Sequence, residues 1–169
     1  MKRKIIMTLL LVIAFNSGFA QTLVGKWDMD VRDLRSSGLT STTMELTPSG
    51  IVKTTSVFVI ESNGVSISFY LNMSGKYEVS GKALCREMDP ESIKYTWDFK
   101  CPSCDSKRLQ QLRNDLGPQM REFLEGLTKE TKLEWKSRGA YQQILQLNEE
   151  TLAIQVPGGS LEVYQRIVE

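Results

Sequence analysis

Histidine is missing from the whole chain, which removes the commonest general base and the commonest metal ligand from any mechanism. An activated serine lacks its usual base for the same reason, and no Gly-x-Ser-x-Gly elbow occurs. Nothing resembles a phosphate-cradling glycine loop, and "KSR" at Lys136 to Arg138 is too short for a phosphate-binding patch. Nor is one sign of charge in excess: 21 Lys and Arg face 20 Asp and Glu. Neither a nucleic-acid footprint nor strong attraction to a membrane surface follows from that balance. Internal repeats and low-complexity tracts are lacking as well.

What is present first reads as a leader. Lys2, Arg3 and Lys4 form a basic start, Ile5 to Phe15 an apolar run, and Gly18 and Ala20 place small residues before a cut. The apolar run falls short of the ~20 residues that a spanning helix needs, so residues 1–20 are expected to be a cleaved signal peptide. No cysteine follows the cut, which gives no indication of a lipid-modified N-terminus. Residues 21–169 then form one domain of about 149 residues, long enough to bury a sizeable core. They carry 18 basic and 20 acidic residues, a formal charge of −2. The expected location is extracytoplasmic, in the periplasm or secreted, with no membrane span after cleavage.

Most of this domain alternates with the period of a half-buried strand. Leu23, Gly25, Trp27, Met29 and Val31 oppose Lys26, Asp28, Asp30 and Arg32; Thr42, Met44 and Leu46 oppose Thr43 and Glu45. Ile51 to Ile60 is apolar on both parities, and its inward face stays unassigned. "NG" at Asn63 and Gly64 is a hairpin signal. Val65, Ile67, Phe69 and Leu71 follow on one face; after an expected turn at "MSG", Tyr77, Val79, Gly81 and Ala83 continue it. Ile93, Tyr95, Trp97 and Phe99 alternate beyond "MDPE", and three further strands run over about Ala140 to Leu147, Thr151 to Val156 and Leu161 to Val168.

Between Cys104 and Lys132 the period becomes helical, through Leu109, Leu112, Leu116, Met120, Phe123, Leu124 and Leu127. Asp105 or Ser106 is available as the N-cap. Gly117 and Pro118 are expected to divide this insertion, at about 105–131, into a helical hairpin. Packing against the sheet is the favoured role of its apolar stripe, with a movable lid over a cavity as the alternative.

Short strands with turn signals between them indicate a sandwich or a barrel, and single-sided alternation favours a barrel, whose closure removes exposed edges. In that setting "LVGKWDMD", Leu23 to Asp30, resembles the Gly-x-Trp first strand of lipocalins and of lipocalin-like domains in exported bacterial proteins. The resemblance implies a calycin barrel with Gly25 at its closed end, Trp27 plugging the floor, and Arg166 of "VYQRI" covering the indole. These three are expected to be structural. Lipocalins carry their main helix after the eighth strand, whereas here it precedes the last three. The fold expected is mainly β, an antiparallel lipocalin-like barrel of about eight to ten strands with an inserted helical hairpin.

"CPSC", Cys101 to Cys104, is the one local motif with reactive potential, since a helix N-terminus can lower a thiol pKa. It resembles thiol oxidoreductase centres only at this level, because no βαβ unit is readable around it. A structural disulfide is favoured. Cys85 and Cys101 both continue inward parities, so Cys85, Cys101 and Cys104 allow three pairings, left open. No metal site or cofactor is expected.

Phe69, Tyr77, Tyr95, Trp97 and Phe99 share inward parity on three consecutive strands and are the candidate ligand-binding residues. A barrel of this size is either filled by such side chains or holds one small ligand. The expected function is non-catalytic binding of a small apolar or amphipathic molecule. The alternatives are a filled barrel contacting a protein partner through the helical insertion, and a dithiol redox protein using "CPSC".

Overall fold

The computed structural model describes residues 22–29, 39–62, 64–137 and 141–168. The expected leader, the extension of the first strand to Val31 and Arg32, Asn63 of the "NG" turn, Arg138 and Ala140 lie outside them.

Nine strands, one long helix and a short 3-10 turn (Pro90–Ser92) are the elements of the described residues. The strands are β1 (Gly25–Met29), β2 (Leu39–Leu46), β3 (Ile51–Ser62), β4 (Val65–Ser80), β5 (Ala83–Met88), β6 (Lys94–Lys100), β7 (Tyr141–Leu147), β8 (Thr151–Gln155) and β9 (Leu161–Arg166). Helix α1 (Ser106–Ser137) separates β6 from β7. Every pairing is antiparallel, and the ring β1-β2-β3-β4-β5-β7-β8-β9 closes where β1 meets β9. The architecture is mainly β, a closed eight-stranded barrel consistent with a lipocalin-like one.

Alternation explains which side chains meet inside. Thr42, Met44 and Leu46 of β2 are buried, as are Leu152 and Ile154 of β8. On β3 the inward set is Val52 and Thr54, followed by Phe58 against the core. The apolar ones join Leu23, Trp27, Leu84, Ile144 and Tyr164 in one buried cluster.

"MSG" is not a turn. β4 runs unbroken through Met73, Ser74 and Gly75, first paired with β6 and then, from Gly75 onward, with β5. Gly75 is small because the β5 backbone lies against it: a Cβ there would overlap the Glu87 carbonyl oxygen and sit 2.6 Å from Met88 Cα. The real turn comes later, at Gly81 (φ +59°). It ends the expected Tyr77 to Ala83 run and resets the parity. Leu84, Arg86 and Met88 therefore point inward, and Cys85 lies between them, half-buried, contrary to its expected inward place.

The helical insertion is likewise one helix and not a hairpin. Pro118 lies within it, exposed, at the cost of one backbone hydrogen bond. Contacts on both sides of Pro118 hold the two halves in line. Arg113 reaches Asp98 at 3.7 Å and stands over Phe99; further on, Phe123 packs edge-on against Phe69, and the Thr131 hydroxyl meets the Tyr95 hydroxyl at 3.2 Å. Lys132 binds Glu91 at 2.6 Å. Asp105 caps the start, accepting from Arg108 N–H at 2.7 Å.

As α1 advances, its partners on β6 and the preceding turn move backward, so the helix lies antiparallel along β6. At ~1.5 Å per residue its 32 residues extend about 48 Å, close to the length of the 16-residue β4 at ~3.3 Å per residue. The helix thus lies over the β4 and β6 extension and, near its end, packs Trp135 against the core and lines the cavity described below.

Candidate functional site

Residues of the first and last strands pack together where β1 pairs with β9. Trp27 is fully buried, donates its indole N–H to the Leu23 carbonyl at 2.9 Å, and lies opposite Arg166 in the β1–β9 ladder. The Arg166 guanidinium stands 4.2 Å from the indole ring and donates to the carbonyls of Val24 (2.8 Å), Glu149 (2.7 Å) and Thr22. Gly25 has φ +142°, and a Cβ there would lie 2.5 Å from Arg166 Nη1. Gly25, Trp27 and Arg166 thus lie against one another where β1 meets β9.

Above the packed core comes a polar layer. Arg86, 7% exposed, donates from Nη2 to Glu162 Oε2 at 2.9 Å and from Nη1 to Met44 Sδ at 3.3 Å. The Tyr164 hydroxyl donates to the same Glu162 oxygen at 2.9 Å. Burial works against the Arg86 charge, but Tyr164 and Glu162 more than offset it and the guanidinium stays protonated. Burial also pushes the Tyr164 phenol well above its ordinary 10.0, with Arg86 pulling the other way.

The sign of the resulting pH dependence follows directly. Above pH ~10 the unfolded chain ionises Tyr164 while the folded chain keeps its proton, so stability falls as pH rises through that range. Tyr164→Phe is expected to flatten this alkaline loss relative to wild type, read from urea midpoints measured between neutral and alkaline pH. Equal slopes for the two proteins would show that Tyr164 does not hold its proton.

Between this layer and the C-terminal half of α1 lies a cavity of about 590 Å³. Its apolar wall includes Met29, Phe58, Leu71, Met73 and Met88, and Thr131, Glu134 and Trp135 of the helix form its cover. Arg86, Glu162 and Tyr164 line its floor together with Thr54 and Gln142. Among the described residues, three buried side-chain polar atoms have no hydrogen-bond partner: Thr54 Oγ1, Arg86 Nε and Gln142 Oε1. All three belong to residues that line this one cavity. An unmet buried polar atom costs about 1–3 kcal/mol, and each of these three has under 1 Å² of its own surface accessible.

Of the five aromatic candidates, Tyr95 lines the cavity. Phe69 packs against Phe123 of the helix, and Trp97 stacks on Phe99 with centroids 6.0 Å apart. Tyr77 packs against the core and donates its hydroxyl to the Thr47 carbonyl at 2.7 Å. Arg86, Thr54 and Gln142 were not among the residues expected from sequence. A signal for Arg86 exists: it sits at i+2 from Leu84 and i−2 from Met88, a charge in the middle of an inward triplet once Gly81 is taken as the turn.

Cys101 and Cys104 form a disulfide, and Cys85 is free. Burial, then Glu78 and Glu87, push the Cys85 thiol up, away from the reactive thiolate. Along the helical stripe Leu124 is buried and Leu109, Leu112, Leu116, Met120 and Leu127 are half-buried. Phe123, at 51%, is its exposed member. Among the described residues, no group of acidic or cysteine side chains could hold a metal ion, and no helix is long and apolar enough to cross a membrane. No family model matches the chain, and comparison with curated proteins finds no relative.

Proposed function

We propose that this chain is an exported, non-catalytic carrier of a small amphipathic molecule, related in design to lipocalin-like domains through Gly25, Trp27 and Arg166. The observation that supports this reading best is the cavity of about 590 Å³, apolar along its wall and polar at its floor. Its volume lies in the range of small-molecule pockets, ~300–1,000 Å³. A disulfide fits an oxidising compartment, and the basic and apolar start of the sequence fits export.

Native mass spectrometry of protein purified from its own extracytoplasmic compartment tests the proposal. The expected result is an extra mass that disappears on denaturation. Ser56→Phe, which places a ring in the cavity, should remove that mass while unfolding remains cooperative. Bare polypeptide in both proteins, with no thermal shift from added medium-chain amphiphiles, would count against a carrier.

A further inference from the structure

We infer that the cavity accepts amphiphiles of differing shape, whether linear, branched or compact, and that Met29, Met73 and Met88 give it this breadth. The inference rests on the carrier reading and names the ligand class of that same site.

The interior aliphatic side chains divide between two places. Leu46, Val52, Leu84, Ile144, Leu152 and Ile154 are buried in the core cluster, and none of them lines the cavity. The wall takes instead Met29, Met73 and Met88, with Leu71 among them. Of the seven methionines in the sequence, Met1 and Met7 precede residue 21, and three of the other five line this one space. Met88 lies opposite Gly75 in the β4–β5 ladder, and Gly75 is two residues beyond Met73 on the same parity, so Met73 and Met88 are diagonal neighbours. Met29 belongs to β1, which β2 and β3 separate from β4. Methionine thus reaches the cavity from two separate stretches of the wall.

The side-chain chemistry explains the division. Valine and isoleucine are branched at Cβ and hold few rotamers, so a space lined by them keeps its outline. Methionine is unbranched, has three rotatable bonds and ends in a polarisable thioether, and it refits its surface to what it touches. Met44 marks the contrast: its Sδ accepts from Arg86 Nη1 at 3.3 Å, and it is not part of the wall. Met29, Met73 and Met88 are buried, so the shape they take answers to the contents of the cavity and not to bulk water.

Calorimetric titration of the intact protein with decanol, dimethyloctanol and adamantanol tests this, because these alcohols share a head group and a carbon number but not a shape. Corrected for each alcohol's own transfer from water to octanol, the wild-type affinities are expected to agree within about threefold. The combined variant Met29→Leu, Met73→Leu and Met88→Leu conserves volume, and it should spread the same affinities by about tenfold or more. Methyl-carbon resonances of labelled methionine give a readout that a packing role alone would not move: those of Met29, Met73 and Met88 should shift differently with each alcohol, while that of Met120 on α1 stays in place. A wild-type spread of about tenfold or more, or the three resonances unmoved by a bound alcohol, overturns the inference and leaves the carrier reading standing. An unchanged spread in the leucine variant overturns the role of the methionines. Binding of none of the alcohols overturns both readings.

Discussion

Gly75→Ala should unfold the protein or lower its stability by about 3 kcal/mol or more, the upper range for forcing atoms into a packed site. β4 changes partner at this residue, from β6 to β5, while keeping β3 on its other side. The new Cβ would meet backbone, the Glu87 carbonyl and Met88 Cα, and no side-chain rotation relieves that. Only separation of β4 from β5 makes room, and that separation opens the ring. Gly117→Ala is the matched control. It adds the same methyl in open space on α1 and should raise stability by up to about 1 kcal/mol. Urea denaturation followed by far-ultraviolet circular dichroism reads both. A Gly75→Ala midpoint equal to wild type would refute the close approach of the two strands.

Arg166→Met is the second large effect. The substitution keeps an unbranched side chain but removes the cation over Trp27 and the donors to Val24, Thr22 and Glu149. A cation over an indole contributes about 0.5–2 kcal/mol and a charged hydrogen bond about 1.5–3. Since these terms overlap in one side chain that is only half-buried, a total loss of about 2–4 kcal/mol is expected. Arg166→Lys should recover less than half, because a point charge cannot serve three carbonyls and a ring together. Gly25→Ala gives a coupling test. Its clash is with the guanidinium, so its cost should shrink in the Arg166→Met background, leaving the positive φ as the remainder. Additive losses in the double variant would show that Gly25 is not small on account of Arg166.

The legible parts of the fold were those where neighbouring residues decide the outcome. Thr42, Met44 and Leu46 alternate in sequence and are buried in the structure. The stripe from Leu109 to Leu127 is helical in both. Gly25, Trp27 and Arg166 were singled out by a resemblance of the first strand, and the guanidinium does stand over the indole. Illegible were the features set by a distant partner. "MSG" has turn composition, yet Gly75 is there for the close approach of β5. Pro118 has breaker chemistry, yet contacts of Arg113 and Phe123 with the sheet hold the helix straight past it. The cavity floor was hidden for a related reason. Arg86 and Gln142 are polar residues of strands whose inward faces sequence did not settle, Thr54 sits in a run with no assigned face, and all three are buried in the structure.

Closure of β1 on β9 also dictates an order of events. Arg166 and Val24, joined through the guanidinium, are 142 residues apart in the chain. The entropy of bringing such remote segments together must be met before their contacts give anything back, which makes this a late and slow step. The hairpin of β3 and β4 and the 32-residue α1 need no such search and can form early. Until β9 arrives, β1 lacks its second neighbour and Trp27 its cover. A chain emerging from a ribosome or a translocation channel therefore stays open to proteases and chaperones until nearly all of it is out, and quenching or shift of Trp27 emission marks the moment the ring locks.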